Sequence, residues 1–243
     1  MKPYLREALE SVTSQTRTDA QVLLVDSGRW IGKSDELSKM MGKIYQDYIN
    51  HPTIEWMFTG EDENMHKNIC MVGYITNKVI EEGLIRGKYF CTFYDDDLYY
   101  PQFFEKMAGY LDNHPKSLAV MCIEKRTEIK EDGTIIEAGV IDPKEPLSGE
   151  NFDCTIDGMQ VMLRTEILKK IEKPWFVEDT ANCCHSDGIF LNKVGLVTQV
   201  DYLPELLCEH RATPFSTFTP TIDPKDQGLE NQIAILKKIF KNC

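Results

Sequence analysis

Three consecutive aspartates, Asp95, Asp96 and Asp97, follow directly on the apolar run Tyr89-Phe90-Cys91-Thr92-Phe93. In an extended chain residues two apart point the same way, so Asp95 and Asp97 are expected to face one ligand while Asp96 faces elsewhere. Two carboxylates roughly 5 Å apart repel by roughly 3 kcal/mol at an effective dielectric of about 20, and a divalent cation turns that repulsion into attraction. Oxygen ligands with coordination positions to spare suit Mg²⁺ or Mn²⁺ carrying a diphosphate. In open α/β sheets ligands bind beyond the carboxyl ends of strands, which is where these residues stand. A water-exposed acidic turn is the plain alternative. The bulky Leu98-Tyr99-Tyr100-Pro101 that follows speaks against it.

Asp187, in His185-Ser186-Asp187-Gly188, precedes a helical pattern and is a favoured cap residue. Glu178-Asp179 is an acidic pair nearby. His210, in Glu209-His210-Arg211, follows a strand-like stretch and suits a local hydrogen bond.

The elements that must position these groups alternate in type. Leu5, Ala8, Leu9 and Val12 keep the spacing of a helix with one buried face. Residues 21–25 form a short apolar run closed by Asp26-Ser27-Gly28, a strand and turn. Helical spacing returns at Leu37, Met40, Met41, Ile44 and Tyr48, followed by a strand over 53–58 and a polar loop over 59–67. A helix over 71–85, closed by Gly87, leads into a strand over 88–94. This alternation predicts a mostly parallel sheet flanked by helices. Beyond it come a helix at 103–111, a strand at 117–126, a hairpin-type turn at 131–134, a loop at 147–153 and a strand at 159–164. Short helices are predicted at 165–171 and 187–194, and an edge strand at 199–203 stopped by Pro204. Residues 213–225 read as a loop or lid, and 229–240 as a closing helix.

The bulk composition narrows the function. A chain of 243 residues with a net charge of −12 lacks the clustered Lys and Arg that nucleic-acid phosphates require, and it is poorly suited to an anionic membrane surface. Its apolar runs are too short to span a bilayer, so no integral membrane segment is expected. The eight cysteines show no Cys-x-x-Cys pair, and the adjacent Cys183-Cys184 is poor disulfide geometry. They read as small buried hydrophobes of a cytoplasmic protein, without a zinc site.

The run 4–12 with Ser14-Gln15-Thr16, the strand ending at Asp26, the stretch from Asn77 to Gly87-Lys88-Tyr89, and the aspartate motif with Pro101 together resemble the family 2 glycosyltransferases. A looser likeness continues from Asp157-Gly158-Met159 to Ile171 and covers most of residues 4–211. The resemblance implies a GT-A-type α/β fold over 1–212. Residues 1–112 would be the nucleotide-sugar half, 113–212 the acceptor half, and 213–243 a lid and terminal helix. It implies nucleotide binding by Asp26, Asn77, Asp95 and Asp96, a metal (Mn²⁺ or Mg²⁺) held by Asp95, Asp97 and His210, and Asp187 as catalytic base. The implied reaction is inverting transfer from a nucleotide diphosphate sugar, a UDP-sugar by the same resemblance, to a glycan or other hydroxyl acceptor.

Three departures mark this sequence. Thr76 stands where the family commonly has Arg, and Ile189-Phe190-Leu191 replaces its tryptophan-containing acceptor motif. The family's first strand, ending Pro-Thr-x-Asn, is not matched, which leads to the expectation of a chain truncated at Met1 and lacking roughly a dozen upstream residues. A metal-dependent nucleotidyltransferase and a degenerate, glycosyltransferase-like binding module are the alternatives.

Overall fold

A computed structural model describes residues 4–61, 63–153 and 155–214. The lid and closing helix expected over 215–243 lie outside the described residues.

The first helix, α1 (Leu5–Thr13), buries Leu5, Ala8, Leu9 and Val12, the four residues whose spacing predicts it. Gln15 fixes the end of this helix to the site region. Its carboxamide donates to the Tyr100 carbonyl at 2.8 Å and accepts from the Phe104 N–H at 3.0 Å. Strand β1 (Val22–Asp26) pairs in parallel with β2 (Ile54–Phe58), and α2 (Glu36–Tyr48) lies between them in sequence. Met41 and Ile44 of α2 pack with Leu5, Leu9 and Ile54 into one core cluster. The polar stretch expected as loop contains a short helix, α3 (Glu63–Asn68). Helix α4 (Met71–Glu81) stops earlier than its apolar pattern, because Gly83 turns the backbone to φ +68°.

The second sheet has six strands: β3 (Tyr89–Phe90), β4 (Leu98–Tyr99), β5 (Ala119–Ile129), β6 (Ile135–Ile141), β7 (Val161–Arg164) and β8 (Asp201–Ala212). Its order is β3-β7-β5-β8-β4, with β6 paired to β5. Helices α5 (Phe103–Asn113) and α6 (Ser186–Val197) complete the fold. The sequence leads one to expect mostly parallel pairing. The sheet is mixed: β5 and β8 run parallel, while β3–β7, β5–β7, β4–β8 and the β5–β6 hairpin are antiparallel. No crossover helix separates β5 from β6, so that pair can close only as a hairpin.

Three local expectations are corrected. Pro204 does not stop an edge strand. β8 runs through it as an inner strand, and the β5–β8 register shifts between Met121↔Tyr202 and Ile123↔Leu206, so the proline sits at an irregularity where its missing N–H is tolerated. The strand expected over 88–94 is limited to Tyr89–Phe90. Beyond Phe90 the chain borders a cleft of about 690 Å³ that separates it from β1, so a partner strand is lacking there among the described residues. Cys70 and Cys183 are joined as a disulfide with Cα atoms 5.0 Å apart. A link across 113 positions leaves no trace in local spacing. Cys122 and Cys208 are the expected small buried residues, one on β5 and one on β8.

Candidate active site

The aspartate triplet is a turn, not an extended strand. The Asp97 N–H reaches back to the Tyr94 carbonyl at 3.4 Å, and Asp95 and Asp97 are therefore turned to different surroundings. Asp95 lines the cleft together with Asp26 and Arg29. Asp97 is fully buried and does not line that cleft; its Oδ1 accepts the Arg211 N–H at 2.8 Å and lies 3.2 Å from His210 Nδ1. β4 and β8 bring these groups together, because Leu98 pairs with Glu209 one step away. Asp96 is also buried: its carbonyl accepts from Arg211 Nε and its carboxylate from the Thr213 hydroxyl at 3.3 Å. Tyr99 anchors the turn, donating its hydroxyl to the Thr92 carbonyl at 2.7 Å and stacking on Phe103.

Asp187 sits in the first turn of α6, a favourable place for an anion. It is not the cap residue; His185 holds that position. Its carboxylate accepts two backbone hydrogen bonds, from Gly158 at 3.0 Å and from Gly188 at 2.9 Å. Burial and the neighbouring Asp157 charge nevertheless push it up to about 6. Burial pulls the His210 imidazole down, but the charge and hydrogen bond of Asp97 together with the Asp157 charge raise the group to about 9. Asp97, Asp157 and Asp187 all act electrostatically on Arg126 and on the Tyr94 hydroxyl, so the three acids occupy one neighbourhood.

The remaining expected residues have local work. Asp26 accepts from the Gly28 N–H at 2.9 Å and from Trp30 Nε1 at 2.6 Å while lining the cleft. Asn77 is 3% exposed, does not line that cleft, and spends its amide on Phe176 and Glu178. Asp179 caps the turn at Thr180–His185. Sequence reasoning missed Asp157, Gly158, Glu124, Arg126 and Tyr94. The available signal was the run of charges from Glu124 to Arg126 following the apolar residues 119–123.

Among the described residues, no group of three or more His, Cys, Asp or Glu side chains gathers as a metal-ligand set. Asp97 and His210 do present a carboxylate and an imidazole to one point. A divalent cation that carries a diphosphate needs only one or two protein carboxylates, and imidazole suits a transition-metal ion, so this donor set fits.

The architecture is a mixed α/β fold with a curled central sheet. The crystal structure of S. aureus TarS 1-349 in complex with UDP is similar at a TM-score of 0.54 and 13% identity, over 87% of this chain and 57% of that one. A crystal structure of S. aureus TarS 1-349 gives 0.51 and 14% with the same coverage. One of S. aureus TarS gives 0.52 and 14%, over 87% of this chain and 34% of that one. At these identities the likeness is one of fold. No family model and no curated protein matches the chain. No helix among the described residues is long and apolar enough to cross a membrane.

Proposed function

We propose that this protein is an inverting glycosyltransferase that moves a sugar from a UDP-linked donor to an acceptor hydroxyl, with Mn²⁺ or Mg²⁺ as cofactor. The observation that carries the reading is the buried Asp187 carboxylate, raised to about 6 and held by two N–H groups in the same neighbourhood as the Asp97–His210 pair. A carboxylate that gives up its proton near 6 is ionised at neutral pH yet basic enough to take a hydroxyl proton in the transition state.

In this reading Asp187 accepts the acceptor's proton as its oxygen attacks the anomeric carbon. Asp97 and His210 would hold the cation, which when bound would supply charge compensation for the diphosphate leaving group. The cleft wall formed by Asp26, Arg29 and Asp95 receives the nucleotide. The UDP in the complex of the similar TarS structure supports that class of donor. The acceptor is a glycan or another hydroxyl compound.

A thermal-shift screen of nucleoside diphosphates, nucleoside triphosphates and nucleotide sugars, with and without Mn²⁺ and paired with an assay for released diphosphate, tests the reading. Stabilisation by UDP or a UDP-sugar that requires metal is expected. Stabilisation by nucleoside triphosphates alone, with diphosphate release, points instead to a nucleotidyltransferase and overturns it.

A further inference from the structure

β5 follows its apolar residues 119–123 with a charged run that includes Glu124 and Arg126, and the reading above uses neither of those two. Two apart on a strand, they project to one face. The Glu124 side chain is fully buried and that of Arg126 is 20% exposed. Arg126 Nε lies 2.7 Å from Glu124 Oε1, and its Nη2 lies 3.3 Å from Asp157 Oδ2. A buried acid–guanidinium pair adds little stability over apolar residues of the same size, so stability alone does not account for these two polar groups.

Asp157 leads from this pair to the site. Its Oδ1 accepts the Met159 N–H at 3.2 Å, and its own N–H donates to Gln160 Oε1 at 2.8 Å, closing a reciprocal cap on the turn. Gln160 also donates to the Cys122 carbonyl of β5 at 2.9 Å. The turn is thus pinned to β5 at both ends, by Arg126 and by Gln160. Between those pins, the Gly158 N–H donates to Asp187 Oδ2 at 3.0 Å.

We propose that Arg126 is a positioning residue for Asp187: it fixes the Asp157 turn and, through the Gly158 N–H, the direction in which the Asp187 carboxylate presents itself. This rests on Asp187 being the base, as read above. Arg126 sits opposite His210 in the β5–β8 register.

The experiment uses the full chain. Arg126→Gln alone leaves Glu124 buried without its partner and can unfold the domain. The decisive variant is therefore Glu124→Gln/Arg126→Gln, in which both members of the pair are replaced together, with Arg126→Lys as the conservative companion. In the folded double variant the Gly158 amide proton resonance is expected to shift upfield as its hydrogen bond loosens, and Arg126→Lys should keep most of the original shift. Affinity for UDP with Mn²⁺ should stay within about twofold and donor KM should hold. The kcat should fall by up to about 100-fold, the cost of a small misplacement of a catalytic group. An unmoved Gly158 amide, or a loss confined to KM, overturns the proposal. If the wild-type chain turns over no nucleotide sugar while the Gly158 amide still moves, the reading of Asp187 as base fails and the positioning contact stands.

Discussion

The Asp97 carboxylate and the His210 imidazole meet at 3.2 Å although 113 positions separate them in sequence. The contact exists because β4 and β8 are hydrogen-bonded neighbours, which delivers the last aspartate of the triplet to the late histidine. If this pair holds the cation, Asp97→Asn removes the charge that attracts it. Titration calorimetry should then find that Mn²⁺ raises UDP affinity in the wild type and that this gain largely disappears in Asp97→Asn. Equal metal-dependent gains in both proteins would contradict the assignment.

Gly158 has no room for a side chain. A Cβ there would stand 3.0 Å from Asp187 Cβ and 3.2 Å from both the Thr92 and Tyr94 hydroxyls. Gly158→Ala should therefore push Asp187 aside, lowering turnover by at least about tenfold and costing about 1–3 kcal/mol of stability through overpacking. Steady-state kinetics and urea unfolding measure both. Unchanged turnover in a destabilised variant would separate Gly158 from the chemistry.

Glu124 sets a pH dependence of stability. Burial is the main cause that pushes it up to about 8, against the ordinary glutamate value of 4.5, with the Arg126 charge pulling the other way. Between about pH 4.5 and about pH 8 the folded protein keeps a proton that the unfolded chain has lost. Stability contributed by the neutral form is complete below that window and drains away as pH rises through it. Glu124→Gln is neutral throughout, so its Tm should match the wild type near pH 5 and exceed it near pH 8. A Tm deficit of equal size at both pH values would show that the carboxylate is charged and needed in the fold.

Much of the first half of the fold is legible in the sequence, because the buried residues of α1 and α2 recur at helical spacing and β1 and β2 are short apolar runs closed by turns. The second half is less so. Pro204 is a local signal for a strand end, yet pairing to β5 and β4 on either side carries β8 past it. Period-two reasoning put Asp95 and Asp97 on one face, but a turn at Tyr94–Asp97 separates them. Asp187 and His210 could be singled out by resemblance alone. The residues that hold Asp187, Gly158 and Asp157, could not, because their role arises from a backbone N–H and a turn geometry that no side-chain pattern announces.

The central claim is that Asp187 is the base of a glycosyl transfer. Its direct test compares wild type and Asp187→Asn for UDP release from a UDP-sugar in the presence of Mn²⁺ and acceptor, alongside UDP affinity and Tm. The account predicts a fall in turnover of roughly 10²- to 10⁴-fold, the range for a positioned general base, with UDP affinity and Tm little changed. Turnover per folded molecule equal to the wild type, with a lowered Tm, would make Asp187 a structural residue of the α6 terminus and contradict the claim.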